Sequence, residues 1–297
     1  MTVAVAISLA CALFLAVGFV VQQHAAAQEP PSERLSPKLL VKLAQRPLWL
    51  GGVGAMVIGQ LLGAVALGRA DIALVEPLMA MNLLFALPLS AVWHRMHLGP
   101  REWAGAVLLL LGLVGFIVAG NPHGGTTTRL PWPNWVMAGG SIILVSAVLV
   151  SISRRFTTDL QATLLASAAG ALSGLQDALT QRTMVGFSHG VVAELASWPV
   201  FSLLAVAIVA MLLGQSAFEE APLAASLPAI TVLEPITGIA FGVGVYREHL
   251  GLSPPRLAFE LAGLVAMVVG VILVARSPIV TGGTRVCERE REVERVG

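Results

Sequence analysis

Charged side chains are scarce in this sequence: Asp, Glu, Lys and Arg make up 12% of its 297 residues, about half the share of an ordinary soluble domain. That scarcity excludes a freely soluble globular fold. Cysteine is scarcer still. The two that occur, Cys11 in an apolar run and Cys287 in a polar tail, lie far apart and in different media, which excludes a disulfide framework and a cysteine-based metal site. A surplus of one charge sign is missing too: 18 basic residues face 17 acidic ones, for a net charge of +1, so nothing points to nucleic acid. Also absent are a metalloprotease His pair, a phosphate-binding glycine loop and a nucleophile elbow. Without a catalytic constellation the expectation is a protein that is not an enzyme and takes no cofactor. His24, His94, His97, His123, His189 and His249 all fall in loops or at the ends of apolar runs, where contact with lipid headgroups explains them.

What the sequence has in excess is apolar residues, 56% of the chain. They gather in runs at 3–22, 47–68, 71–92, 102–119, 133–152, 159–180, 195–214, 221–245 and 257–275. A run of about 20 residues covers about 30 Å as a helix, the thickness of the hydrocarbon layer, and lipid offers the backbone no other partner for its N–H and C=O groups. The expected fold is therefore all-α: a polytopic membrane helix bundle of about nine transmembrane helices in one domain, 1–275, followed by a charged tail, 276–297. The first run, followed by "HAAAQEPP", also resembles a secretory leader. It is longer than a leader core and no Lys or Arg precedes it, so a retained first helix is expected.

Trp49, Trp93, Trp103, Trp132, Trp135 and Trp198 all lie within a few residues of an expected helix end, where indole rings settle among headgroups. Of the Lys and Arg residues, 13 fall on one side of the alternating loops and 5 on the other. The positive-inside rule then puts the N-terminus outside and the C-terminus in the cytoplasm of a cell-membrane protein. In the tail, Arg285 and Glu288, Arg289 and Glu292, and Arg291 and Glu294 stand three apart, as in a short solvated helix. The connector 23–46, with Pro, Ser and basic residues, suits a loop lying near anionic headgroups.

The chain repeats itself. Shifting it by 158 residues lays "LVEPL" (74–78) on "VLEPI" (232–236) and "EWAGAVLLLLG" (102–112) on "ELAGLVAMVVG" (260–270). Gln23 falls on Gln181 at the same shift, while Gly59-Gln60 meets Gly214-Gln215 at 155 and "HLG" recurs at 152. The two Glu-Pro runs are an odd number of spans apart, so they cross in opposite directions. The repeat, about 1–120 and about 133–275, is expected to be inverted, an arrangement that places a shared cavity near the midplane.

Acids inside apolar runs are costly and mark interiors or wet cavities. Glu234 sits mid-run. Glu76 is only five residues into its run, roughly 8 Å, so two readings stand for it: a pathway group, or an acid that reaches interfacial water. Pro77 and Pro235 donate no backbone bond, which leaves the Ala73 and Thr231 carbonyls beside the acids as an oxygen-rich spot for a cation or proton relay; the alternative is a kink that only helps packing. Gly170, Ser173, Gly174, Asp177 and Gln181 form one helical face, with Asp177 either pointing into the bundle or pairing with Arg182 at the interface. Gln60 lies beside the Gly52, Gly59 and Gly63 face. Asn82 is about 120° round the helix from Glu76, so the two need not share a ligand.

Residues 47–93 followed by "EWAGAVLLLLGLVGFIVA", with "LEPITGIAFGVGVYREHLG" and "LAGLVAMVVGVILVA" in the second half, resemble the drug/metabolite transporter (DMT, EamA-like) superfamily. Within it they resemble the nine-span NIPA-like magnesium transporter branch, and Pro235 and Glu248 keep the superfamily's Pro-to-Glu spacing. The resemblance implies a multi-pass secondary transporter moving magnesium or another small cation by alternating access, with Glu76 and Glu234 as cation or metal groups and Gln60, Asn82 and Asp177 as further polar contacts. It departs from the branch at Glu76, where a small polar residue is usual, at Gln60, where an acid is usual, and at Arg95, where the first repeat would carry Glu. Two alternatives stand beside it: a proton-coupled exporter of a small metabolite or drug, and a non-transporting scaffold. The partners implied are the lipid bilayer and a small ion or small-molecule substrate.

Overall fold

The computed structural model describes residues 2–27, 45–93, 98–120, 132–156, 159–187, 190–220, 223–248 and 254–276. The connector 28–44, Arg95, five of the six histidines (all but His24) and the tail beyond 276, with Cys287, lie outside the described residues. Among those described, every regular element is helical. They are α1 (Thr2–Ala27), α2 (Pro47–Leu67), α3 (Ile72–Met79), α4 (Asn82–Trp93), α5 (Pro100–Gly120), α6 (Trp132–Ser153), α7 (Asp159–Phe187), α8 (Val191–Leu195), α9 (Trp198–Glu220), α10 (Leu223–Gly244) and α11 (Pro254–Ala275).

Among the described residues, six stretches are long and apolar enough to cross a bilayer: Thr2–Val21, Pro47–Leu67, Ile72–Trp93, Pro100–Gly120, Pro133–Ser153 and Ala258–Ala275. Trp198–Gly214 and Pro228–Gly244 are shorter apolar stretches. Prolines open several helices; Pro47 stands in the first turn of α2, where its missing N–H would have had no helical partner. Leu61, Leu111, Leu144, Phe201, Met211 and Phe259 point outward. In water such a surface would be an aggregation site; on a membrane protein it is the lipid face.

Small residues set how closely the helices approach. A methyl group on Gly18 would meet Met56 and Gly52, one on Gly59 would meet Leu15, and one on Gly63 would meet Cys11. As one number rises the other falls, so α1 and α2 run antiparallel. Cys11 is buried in this seam. On α7, Gly170 and Gly174 admit the α10 backbone at Ile230 and Glu234. The closest pair is α5 with α11, whose glycines meet reciprocally: Gly112 lies on Gly263, and Gly270 on Gly105. α6 packs chiefly on α7.

Three local expectations are corrected. The span carrying Glu76 is two helices, because it breaks at Ala80 and Met81, where the Met81 N–H bonds to Leu78 O (3.3 Å) instead of continuing the ladder to Pro77. Pro235 causes no such break, and α10 continues through it. Trp135 is not a headgroup indole but is 5% exposed, packed against Trp198, Phe241 and Tyr246 at centroid distances of 5.5, 5.2 and 5.7 Å. α7 runs on to Phe187 and the short α8 follows it, in a region expected to end near 180.

Candidate functional site

α3 with α4, α7 and α10 meet around one interior cavity, with Gln60 from α2 and Leu15 from α1 completing its wall. Its volume is about 60 Å³, room for water or a small ion and far below the ~300–1,000 Å³ of drug-sized pockets. All five expected site residues line it: Gln60, Glu76, Asn82, Asp177 and Glu234, together with Pro235. Pro77 is buried in α3 beside Glu76 without lining the cavity. Asn82 joins because the break at Ala80 and Met81 resets the helical phase, so the 120° separation expected of a continuous helix does not apply. Among the described residues, no Lys, Arg or His lines the cavity.

The expected shallow position of Glu76 does not bring it to water. Its side chain is 2% exposed, because depth along α3 is not burial: α10 and α1 pack on this short helix. Gly238 makes the room, since a methyl group there would land on the Glu76 carboxyl. Glu234, by contrast, is half-buried. The Glu76 and Asp177 carboxyl groups lie side by side within hydrogen-bonding reach, and Glu234 is near enough for its charge to be felt by Glu76. A hydrogen bond between two carboxyls needs a proton on one of them. Among the described residues, Glu76 Oε1 and Asp177 Oδ2 find no hydrogen-bond partner.

Asp177 is not an interfacial acid paired with Arg182. It is 6% exposed, and the Arg182 guanidinium instead forms an ion pair with Glu194 of α8 at 3.6 Å. Gln181 turns from the cavity, and its Nε2 donates to the Ala70 carbonyl at 2.9 Å. Among the described residues no three His, Cys, Asp or Glu side chains are grouped to hold a metal ion.

Side chains the sequence did not single out as site groups complete the arrangement. Gln176 and Thr231 also line the cavity; both are polar groups next to, or one turn from, an acid already noted, and that proximity was the available signal. Glu248, noted only for its spacing from Pro235, accepts the backbone N–H groups of Ile72 and Ala73 at 2.8 and 2.9 Å. These are donors that the first turn of α3 cannot satisfy itself. Burial pushes the Glu248 carboxyl up to about 7, opposed by those two bonds and helped by the charge of Asp71. The Tyr246 phenol donates to the Ala178 carbonyl at 2.6 Å. Burial, and then the Glu248 charge, push its pKa up, so it remains a donor at any physiological pH.

No family model and no solved structure matches the chain. It is similar to an uncharacterized protein of Corynebacterium glutamicum, 28% identical over 291 residues that cover 95% of this chain and 98% of that protein.

Proposed function

We propose that the protein is a secondary transporter of the drug/metabolite type, multi-pass in the cell membrane, which moves a small cation by alternating access around the cavity between α3–α4, α7 and α10. The observation that carries this reading is the lining. Among the described residues, three acids and four neutral polar side chains, with no basic group, face one small space inside an otherwise apolar bundle. Such a wall favours a cation over an anion or an apolar molecule, and unpaired acids inside a membrane bundle are costly enough to need a use.

The reciprocal glycine contact of α5 with α11 supports the inverted repeat. The 158-residue shift carries Gly105 to Gly263 and Gly112 to Gly270, so the contact of Gly112 with Gly263 maps onto that of Gly105 with Gly270. A two-fold axis between antiparallel helices makes contacts of this self-complementary kind. Counting α3–α4 as one span and adding α7, α9 and α10 gives a nine-span reading, with α6 outside the repeat.

Among cations, the contact of Glu76 with Asp177 favours a site that binds and releases protons. Magnesium, which keeps most of its waters and uses one or two carboxylates, is the rival cargo. Proton and Mg²⁺ flux in proteoliposomes, for the wild type and for Glu76→Gln and Glu234→Gln, tests the reading. Wild-type flux of one of these cations is expected, reduced at least about tenfold in each variant, a loss of about 1.4 kcal/mol of transition-state stabilisation. Wild-type protein that passes neither would overturn it. Variants that change stability in detergent but no flux would leave the acids as packing groups of a scaffold.

A further inference from the structure

On one side of the cavity the bundle is plugged. Beyond Glu76 and Asp177, the side chains of Leu67, Ile72, Val75, Leu179 and Phe241 form a continuous buried layer. Outside that layer two polar ties join the halves of the chain, Glu248 to the first turn of α3 and Gln181 to Ala70, while Tyr246 bonds to Ala178 within the second half. The Glu248 tie is the most constructed of them. Gly242 leaves space for its carboxylate, because a methyl group there would strike both Glu248 Oε2 and Ile72. Arg247 is held at φ 55, a left-handed conformation that residues other than glycine rarely adopt. That turn lets Glu248 fold back so that its N–H bonds to Gly242 O at 3.0 Å.

The first repeat has no carboxylate at the matching place in its sequence. The corresponding loop of the first repeat reads Arg95-Met96 ahead of its "HLG", where this one reads Arg247-Glu248, and neither arginine nor methionine is a substitute for a carboxylate facing two N–H donors.

We propose that Glu248 is a latch: by capping α3 it holds the Ile72 side of the cavity shut, and its release from Ile72 and Ala73 is the step that opens that side. The inference rests on the transporter reading above, but its test does not use transport. Alternating access needs two packings of the same helices that lie close in free energy, and two hydrogen bonds to helix-terminal donors are of the right order to set that balance.

Spin labels at Arg69→Cys and Gly244→Cys, both exposed and flanking the latch, in a Cys287→Ser background, report the distance across it by pulsed electron resonance in nanodiscs. With Glu248 in place one short distance is expected. Glu248→Ala should add a longer distance that becomes the major population, and Glu248→Gln, which keeps one acceptor oxygen, should fall between the two. Tyr246→Phe should move it less. A monodisperse, fully helical Glu248→Ala protein with the unaltered short distance would overturn the latch; if the alanine variant does not fold, an unaltered distance in Glu248→Gln does the same. Distances that shift in a protein with no flux uphold the latch and remove the transporter reading. Flux with distances that never move removes the latch alone.

Discussion

Glu248 connects burial to pH at the scale of one residue. Its carboxyl is raised from the ordinary value of 4.5 to about 7, first by burial and also by Asp71; Tyr246 faces it too, with Arg182 acting on Tyr246 from beyond. Between these two values the folded protein keeps a proton that the unfolded chain has released. The stability this group contributes is therefore complete below pH 4.5 and is lost as the pH rises through 7, with a slope of at most about 1.4 kcal/mol per pH unit. Melting temperatures in detergent between pH 5 and 8 should fall more steeply for the wild type than for Glu248→Gln, which cannot titrate. Curves that stay parallel would mean that Glu248 titrates as it does in the unfolded chain. The residue-level contrast between Glu76 and Glu234 was only partly legible in the sequence. Both acids were visible as costly charges in apolar runs. Which was enclosed depended on Gly238 and on helices far away in the chain, neither of which a depth argument along one run can see.

At the scale of elements, the helices were legible because each is an apolar run ended by Pro, Gly or charge, and their expected limits agree with the observed ones to within a few residues at most ends. The broken span was not, because Pro77 and Pro235 look alike in sequence and only one lies in a span that breaks. Packing between elements can be tested through glycine. A methyl group on Gly112 would meet the Gly263 carbonyl at 2.6 Å, and one on Gly263 would meet the Phe116 amide at 2.6 Å; these are backbone atoms that cannot rotate away. Gly112→Ala and Gly263→Ala should each force α5 and α11 apart and cost about 1–3 kcal/mol, the usual range for overpacking. Gly140 on α6 has nothing within 4 Å of such a methyl, so Gly140→Ala should be neutral or slightly stabilising, as removal of a helical glycine commonly is. Thermal unfolding of the three variants in one detergent measures the difference. Equal stability in all three would mean that the α5 and α11 contact is slack.

For the whole molecule, its membrane character was legible from the apolar excess; the bond from Glu248 to a segment 176 residues away was not. Charge placement gives an expected orientation in the bilayer, and the chain's two cysteines can test it without any engineered label. Cys11 is fully buried between α1 and α2, so a membrane-impermeant maleimide should not reach it from either side while the protein is folded. Cys287 stands in the charged tail, on the side that carries 13 of the 18 basic residues and that the positive-inside rule assigns to the cytoplasm. Intact cells should therefore remain unlabelled, inside-out vesicles should take up one label per chain, and Cys287→Ser should abolish that labelling. Labelling of Cys287 in intact cells would invert the topology, and with it the side of the membrane on which the Glu248 ties lie.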